Sequence, residues 1–164
     1  MNFILDYGEQ IQDGVPVPDK ASFRVVRDID ALRGIWLTGQ RALWHITISA
    51  ATIGEIERTG QPGRLYDLLD WASELSVYFD ECEALARARR NRLQVSHLNA
   101  IALLPDTGDR QLLTEALQLG CDAFCTRDWK TILRRRDQLD SLPLSIIAPH
   151  EWWEAILPYA PLFA

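Results

Sequence analysis

Cysteine is scarce in this chain, with only Cys82, Cys121 and Cys125 among 164 residues. The odd number does not suit a disulfide framework, and the gap between Cys121 and Cys125 is wrong for a CxxC redox or zinc pair. We therefore expect reduced thiols and a cytoplasmic protein. No apolar run approaches the ~18–20 residues that a membrane span needs. The start of the chain meets Asp6 almost at once, which does not fit a signal peptide.

Lysine is scarcer still, with 2 Lys against 15 Arg. The 17 basic and 23 acidic residues give a net charge of −6, which argues against affinity for nucleic acid over the whole surface. A local basic patch beside an acidic metal site stays compatible with that charge. The phosphate-binding patterns GxxxxGK[ST] and GxGxxG are both absent, which disfavours a nucleotide-dependent kinase or a dehydrogenase.

Hydrophobic residues make up 48 % of the chain and charged residues 24 %, the balance of one globular domain spanning residues 1–164. Short apolar segments that suit buried strands alternate with helical patterns. This alternation predicts a three-layer α/β/α fold with a mostly parallel central sheet. The predicted strands are 3–5, 43–48, 123–126 and 144–148. The predicted helices are 22–39, 49–56, 65–79, 86–93, 110–119, 129–136 and one around 152–156, while 98–104 is ambiguous.

Four carboxylates lie close to the ends of these predicted elements. Asp6 ends the first strand, Glu55 lies two turns into the helix after the second, and Asp109 starts the helix that leads to strand 123–126. Asp128 follows that strand. Ligands of parallel sheets bind beyond the carboxyl ends of the strands. Clustered carboxylates need a counter-charge, and oxygen ligands suit Mg²⁺ or Mn²⁺, which can activate water at a phosphodiester.

Each of these residues has a simpler interpretation as well. Asp109 and Asp128 stand where helix N-caps are expected, and Asp is a preferred cap. Glu55 suits a solvated position near a helix N-terminus, and Asp6 suits a turn before Gly8. Asp106 lies three residues before Asp109 and competes for the same role.

Segment 109–128 combines five features: an Asp that opens a helix, an Ala-Leu pair, a Gly-x-Asp turn, an apolar strand and a final Thr-x-Asp. These are Asp109, Ala116-Leu117, Gly120 with Asp122, residues 123–125, and Thr126-Arg127-Asp128. Upstream, residues 49–55 run from a serine to a glutamate at a helix start, and 3–6 form an apolar strand ending in Asp. From Asp6 to about Trp153 the chain thereby resembles the PIN-domain nuclease family, although Tyr7 stands where that family usually has Thr or Ser.

The resemblance implies a metal-dependent ribonuclease acting on single-stranded RNA, of the kind found as toxins in toxin–antitoxin pairs. By position, Asp6, Glu55, Asp109 and Asp128 would hold Mg²⁺ or Mn²⁺ and carry catalysis, with the Thr126 hydroxyl nearby. The resemblance further implies a homodimer and an antitoxin partner. A catalytically silent PIN-like module that contacts RNA or protein is the alternative.

Two arginine runs are candidates for RNA contact. The run Arg134, Arg135 and Arg136 follows the helix that Asp128 begins, so we expect it to hold RNA phosphates. The other run lies within 87–92. For both, a solvated helix face is the simpler interpretation. The six tryptophans, Trp129 among them, are expected to be core or interface residues rather than stacking surfaces for bases.

Overall fold

The computed structural model describes residues 3, 6–42, 44, 51, 54, 58, 66 and 94–163. The α-helices are α1 (Gly8–Gln12), α2 (Phe23–Arg41), α3 (Val95–Ile101), α4 (Thr107–Gln118) and α5 (Pro149–Ile156). Two 3₁₀ helices span Leu133–Leu139 and Ala160–Phe163. Strands β1 (Ala123–Cys125) and β2 (Ser145–Ile147) form a small parallel sheet. The described residues therefore combine helices with a parallel sheet, which confirms the coarser part of the predicted fold class. Within the described ranges, no helix is long and apolar enough to cross a membrane.

The chain divides into two compact units, Met1–His45 with Ile147–Ala164 as unit 1, and Ile46–Ile146 as unit 2. In unit 1, α2 packs against α1 and α5 and buries Ile29 and Ile35. The α2 N-cap is Ser22, as predicted, and its hydroxyl accepts a hydrogen bond from the Val25 N–H at 3.4 Å. Helix α5 begins with Pro149 at a position where the missing N–H costs nothing.

Gly34 of α2 lies against the Trp153 ring of α5. A Cβ built on Gly34 would lie 2.6 Å from the Trp153 ring, nearer than real carbon contacts. The absence of a side chain there lets the indole lie directly on the α2 backbone. The helix thus carries a residue of poor helix propensity because the packing requires it.

We expect Gly34→Ala to destabilise the protein by about 1–3 kcal/mol, because the added methyl forces a rigid ring out of a packed position. Chemical denaturation of the two proteins measures the change. Gly8→Ala in α1 is the matched control: nothing lies within 4 Å of its added Cβ, so helix propensity predicts a gain of up to about 1 kcal/mol. Equal effects of the two substitutions would contradict this account of the α2–α5 contact.

Unit 2 has its core between α3, α4 and the 3₁₀ helix Leu133–Leu139. Leu104 and Leu113 are completely buried, and each contributes about 1.5–3 kcal/mol of hydrophobic stabilisation. The α3 N-terminus is closed by His97, whose Nδ1 accepts a hydrogen bond from the Gln94 N–H at 3.1 Å. The buried cluster comprises Ala100, Ile101, Leu104, Leu113, Ala116, Leu117, Leu139, Leu142 and Leu144.

Gly120 ends α4 and directs the chain into β1, as the sequence predicts. Its φ is 71°, a left-handed conformation that glycine adopts without strain. The Gly120 N–H donates to the Leu117 carbonyl, and the Cys121 N–H donates to the Ala116 carbonyl, which is a Schellman motif. The chain then crosses from β1 through the 3₁₀ helix to β2, where the Ser145 N–H donates to the Asp122 carbonyl at 2.9 Å.

Some sequence predictions need correction. The strand predicted over 3–5 is wrong at Phe3, the one position of that range that is described: Phe3 is helical, and the Tyr7 N–H donates to its carbonyl. Asp6, which follows the range, is helical as well. Short apolar runs do not distinguish strand from helix, and here the Phe3 and Tyr7 rings contact each other at helical spacing. Of the ambiguous segment 98–104, residues 98–101 lie in α3 and 102–104 form the turn after it. The helix predicted over 129–136 is a turn followed by a 3₁₀ helix. The strand predicted over 43–48 and the helices predicted over 65–79 and 86–93 lie, apart from Trp44 and Tyr66, outside the described residues.

Candidate metal centre

The first turn of α4 places Asp109 beside the start of the helix without using it as the cap. Asp106 is the N-cap, and its Oδ1 accepts a hydrogen bond from the Asp109 N–H at 3.1 Å. The interpretation of Asp109 as an N-cap is therefore wrong. Since Asp106 performs the capping, the Asp109 carboxylate is available for another role.

Asp128 organises the turn that follows β1. Its Oδ1 accepts hydrogen bonds from the N–H groups of Lys130 and Thr131, at 2.8 and 2.9 Å. Its Oδ2 accepts a hydrogen bond from the Thr131 hydroxyl. Asp128 therefore closes a turn with its side chain, whereas the predicted role as a helix N-cap is wrong, because the N-cap of the following 3₁₀ helix is Ile132. Each carboxylate oxygen has two lone pairs, so these bonds still leave acceptor capacity.

Asp109 and Asp128 are close enough for their charges to interact. Burial raises the pKa of the Asp109 carboxyl, the Thr131 hydroxyl lowers it in part, and the negative charges of Asp128 and Asp106 raise it further. The Thr131 hydroxyl has a single proton, which is directed to Asp128. Oδ2 of Asp109 itself is buried and has no hydrogen-bond partner among the described residues. A buried carboxylate oxygen without a donor is costly unless a cation or a proton joins it.

The pKa of Asp128 shifts in the opposite direction. Burial raises it, but this effect is outweighed by the hydrogen bonds from Thr131 and Lys130 and by the positive charge of Lys130, so the pKa is lowered. The pair therefore consists of one carboxylate that is well stabilised in its charged form and one that is not. A hard divalent cation compensates such a pair with oxygen ligands alone, so the donor chemistry fits Mg²⁺ or Mn²⁺.

Thr126 supports this arrangement from the end of β1. Its hydroxyl accepts a hydrogen bond from the Asp128 N–H at 3.1 Å, which fixes the backbone that carries the carboxylate. The sequence placed Thr126 near a metal through the resemblance alone. A direct contact of Thr126 with a metal stays a prediction, while its observed contact is with the Asp128 backbone.

Glu55 lies outside the described residues, but its neighbours show how that part of the chain meets α4. Ala51 and Gly54 are helical. The Ala51 N–H donates to Oε2 of Glu115 at 3.0 Å, and Oε1 of Glu115 accepts a hydrogen bond from Gln111. A side chain of α4 thus holds a backbone group four residues before Glu55. The helix that carries Asp109 and the segment that leads to Glu55 are joined within unit 2.

Asp6 differs from its predicted setting. It is exposed, it belongs to unit 1, and it lies in a helical stretch rather than at the carboxyl end of a strand. Across the described ranges, no group of three or more His, Cys, Asp or Glu side chains is arranged to hold a metal ion. The structure therefore brings two of the four predicted carboxylates together, Asp109 and Asp128. The metal-binding role of all four stays a prediction.

Thr131 is the residue that sequence reasoning missed. Its hydroxyl and N–H both bind Asp128, and it influences the pKa of both carboxylates. A signal for it was present, because an Asp followed three residues later by Thr is a common way to close a local turn with side-chain hydrogen bonds.

The predicted RNA-binding arginines follow the same turn. Arg134, Arg135 and Arg136 lie in the 3₁₀ helix Leu133–Leu139, with Arg134 exposed and the other two half-buried. Contact with RNA stays a prediction for all three.

Comparisons with protein-family models, with curated proteins and with solved structures found no match for this chain.

Proposed function

We propose that this chain is a metal-dependent endoribonuclease that hydrolyses phosphodiester bonds of single-stranded RNA. One observation carries the proposal: Oδ2 of Asp109 is buried beside the second carboxylate, Asp128, and no donor among the described residues binds it. A carboxylate left uncompensated in this way is a suitable ligand for a cation. The PIN-domain resemblance of segment 109–128 supplies the reaction class.

In this proposal Asp109 and Asp128 hold Mg²⁺ or Mn²⁺, and the PIN-domain resemblance implies Glu55 as a further ligand. The bound cation supplies Lewis-acid stabilisation of the phosphate and activates water. Thr126 and Thr131 keep Asp128 in place through hydrogen bonds to its N–H and its carboxylate. Arg134, Arg135 and Arg136 hold the phosphates of the RNA backbone, which positions the strand without reading its sequence.

The proposal includes a three-layer, PIN-like arrangement of the domain. The parallel pairing of β1 with β2, with a crossover through the 3₁₀ helix, supports it. It also includes a cytoplasmic location, an expectation that the small, odd number of cysteines in the sequence supports. By resemblance, the chain acts as a homodimer and as the toxin of a pair whose antitoxin blocks the site.

Three substrates of one sequence test the activity: a single-stranded RNA, the same RNA in a hairpin, and the single-stranded DNA. With Mn²⁺ we expect internal cleavage of the single-stranded RNA and little cleavage of the other two. EDTA should abolish the reaction, since the carboxylates alone provide no nucleophile. Cleavage that persists in EDTA, or an inert protein with every substrate, would contradict the proposal.

A second candidate is a PIN-like module that binds RNA or protein without catalysis. The hydrogen bonding of Asp128 favours it, because both of its oxygens already have local donors. The exposed, helical position of Asp6 favours it too. Such a module would bind single-stranded RNA equally well in Mn²⁺ and in EDTA and would leave it intact.

A further inference from the structure

The segment 127–136 concentrates positive charge within a short stretch of the chain. Its sequence is Arg-Asp-Trp-Lys-Thr-Ile-Leu-Arg-Arg-Arg, with five cations and one anion, although the whole chain has a net charge of −6. Lys130 and Arg134 are exposed. A concentration of cations on an acidic protein is the electrostatic signature of a local phosphate-binding surface.

The turn within this segment is held rigidly by its own hydrogen bonds. The Trp129 N–H donates to the Arg127 carbonyl at 2.9 Å, and the Leu133 N–H donates to the Asp128 carbonyl at 2.8 Å. The Asp128 carboxylate binds the next two N–H groups, those of Lys130 and Thr131. The orientation of the turn is therefore fixed before any ligand arrives, which lowers the entropy cost of binding.

This rigid turn presents a large aromatic side chain to solvent. Trp129 is 47 % exposed, so it is not a core residue, while the interface position that the sequence also allowed stays a prediction. In the chain it directly follows Asp128 of the candidate metal centre and precedes Lys130. Exposed aromatic rings among cations are how proteins bind unpaired nucleic acid, because every base has a face that stacks.

We propose that Trp129 stacks on an unpaired base of the nucleic-acid strand, while Lys130 and Arg134 hold the neighbouring phosphates. This inference rests on the proposed ribonuclease function for its choice of substrate, but not on cleavage. A base within a duplex is already stacked on both faces, so the same residue makes the site prefer single strands. A protein partner would also use an exposed Trp, but five cations in ten residues favour a polyanion.

The experiment measures fluorescence anisotropy of a labelled 12-nucleotide single-stranded RNA in EDTA, where no metal-dependent cleavage occurs. We expect Trp129→Ala to weaken binding by about 5- to 150-fold, the range for loss of one stacked base. Trp129→Phe retains a stacking face and should restore most of the affinity. Lys130→Gln should instead lower the slope of log affinity against log salt by about 0.7. Phe23→Ala, which removes a 79 % exposed ring in α2, should change nothing.

A duplex of the same sequence should bind more weakly and should be insensitive to Trp129→Ala. The inference is overturned if Trp129→Ala binds the single strand as the wild type does, or if Phe and Ala behave alike. It is also overturned if Trp129→Ala alters self-association in sedimentation while RNA affinity stays the same, since the turn would then be a protein interface. If the Trp129→Ala variant cleaves RNA with Mn²⁺ and has the same KM as the wild type, the stacking role of Trp129 is refuted but the proposed ribonuclease function is not. A wild type that neither binds nor cleaves RNA would refute the proposed function as well.

Discussion

Asp109→Asn and Asp128→Asn should both abolish Mn²⁺-dependent RNA cleavage but should change protein stability in opposite directions. Each substitution keeps the shape of the side chain and removes the charge that a divalent cation needs. Lewis-acid stabilisation of a phosphoryl transition state is worth several kcal/mol. We therefore expect the cleavage rate to fall by about 10³-fold or more for either variant.

The opposite effects on stability follow from the two pKa shifts. Burial raises the pKa of Asp109 above 3.8, so its ionised form opposes folding, and that penalty develops as the pH rises through the folded-state pKa. At neutral pH, Asp109→Asn should therefore stabilise the metal-free protein by about 1 kcal/mol or less, which corresponds to up to about 4 °C in Tm.

For Asp128, the burial that raises its pKa is outweighed by donors from Thr131 and Lys130, so the folded-state pKa lies below 3.8. Its contribution to stability is present above pH 3.8 and is lost as the pH falls through the folded-state pKa. Asp128→Asn should cost about 1 kcal/mol at neutral pH, because charge-assisted hydrogen bonds become neutral ones.

Denaturation at pH 7 and at pH 3, beside a cleavage assay, checks the pair. At pH 3 the stability gain of Asp109→Asn should shrink, since the wild-type carboxyl then becomes protonated. Cleavage that survives either substitution would remove the proposed site. Two variants that destabilise the protein equally would show that Asp109 is a structural carboxylate like Asp128.

The second large effect is stabilisation of the wild-type protein by Mn²⁺. At a free concentration of 100 times Kd, a ligand specific for the folded state adds about 2.7 kcal/mol. For a domain of this length that corresponds to a rise in Tm of about 5–10 °C. Thermal unfolding with increasing Mn²⁺ measures the shift, which does not depend on any RNA substrate.

Carboxylate variants separate specific binding from general cation effects. The shift should vanish in Asp109→Asn and in Asp128→Asn. Asp140→Asn, which removes an exposed carboxylate after the 3₁₀ helix Leu133–Leu139, should keep it. No shift in the wild type at millimolar Mn²⁺ would favour the silent binding module, and an equal shift in all variants would mean diffuse binding.

The sequence predicts those elements whose signals are local. Ser22 marks the start of α2 and Gly120 marks the end of α4, because a hydroxyl cap and a left-handed glycine act on their own turn of helix. The apolar segments 123–126 and 144–148 became β1 and β2 within a residue or two at each end. The hydrophobic core of unit 2 follows from the same periodicities.

Features that depend on tertiary contacts were beyond the sequence. Choosing between Asp106 and Asp109 as the N-cap of α4 required coordinates, since both residues are aspartates and aspartate suits either position. The exposure of Trp129 depends on what packs around it, which no local pattern shows. The hydrogen bond between Glu115 and Ala51 joins parts of the chain that are distant in sequence. The helical conformation of Phe3 and Asp6 could not be predicted, because a three-residue apolar run carries no period that would distinguish a strand from a helix.

Unit 1 combines two stretches that are distant in the chain, Met1–His45 and Ile147–Ala164, and this has a consequence for synthesis on the ribosome. Helix α2 packs against α5, yet about a hundred residues separate the two in the chain. At a translation rate of about 5–20 residues per second, α2 waits at least several seconds for its partner. During that delay the surface of α2 around Gly34 has no α5 to cover it. The nascent chain therefore has its own period of vulnerability to aggregation, which ends only when Trp153 reaches Gly34.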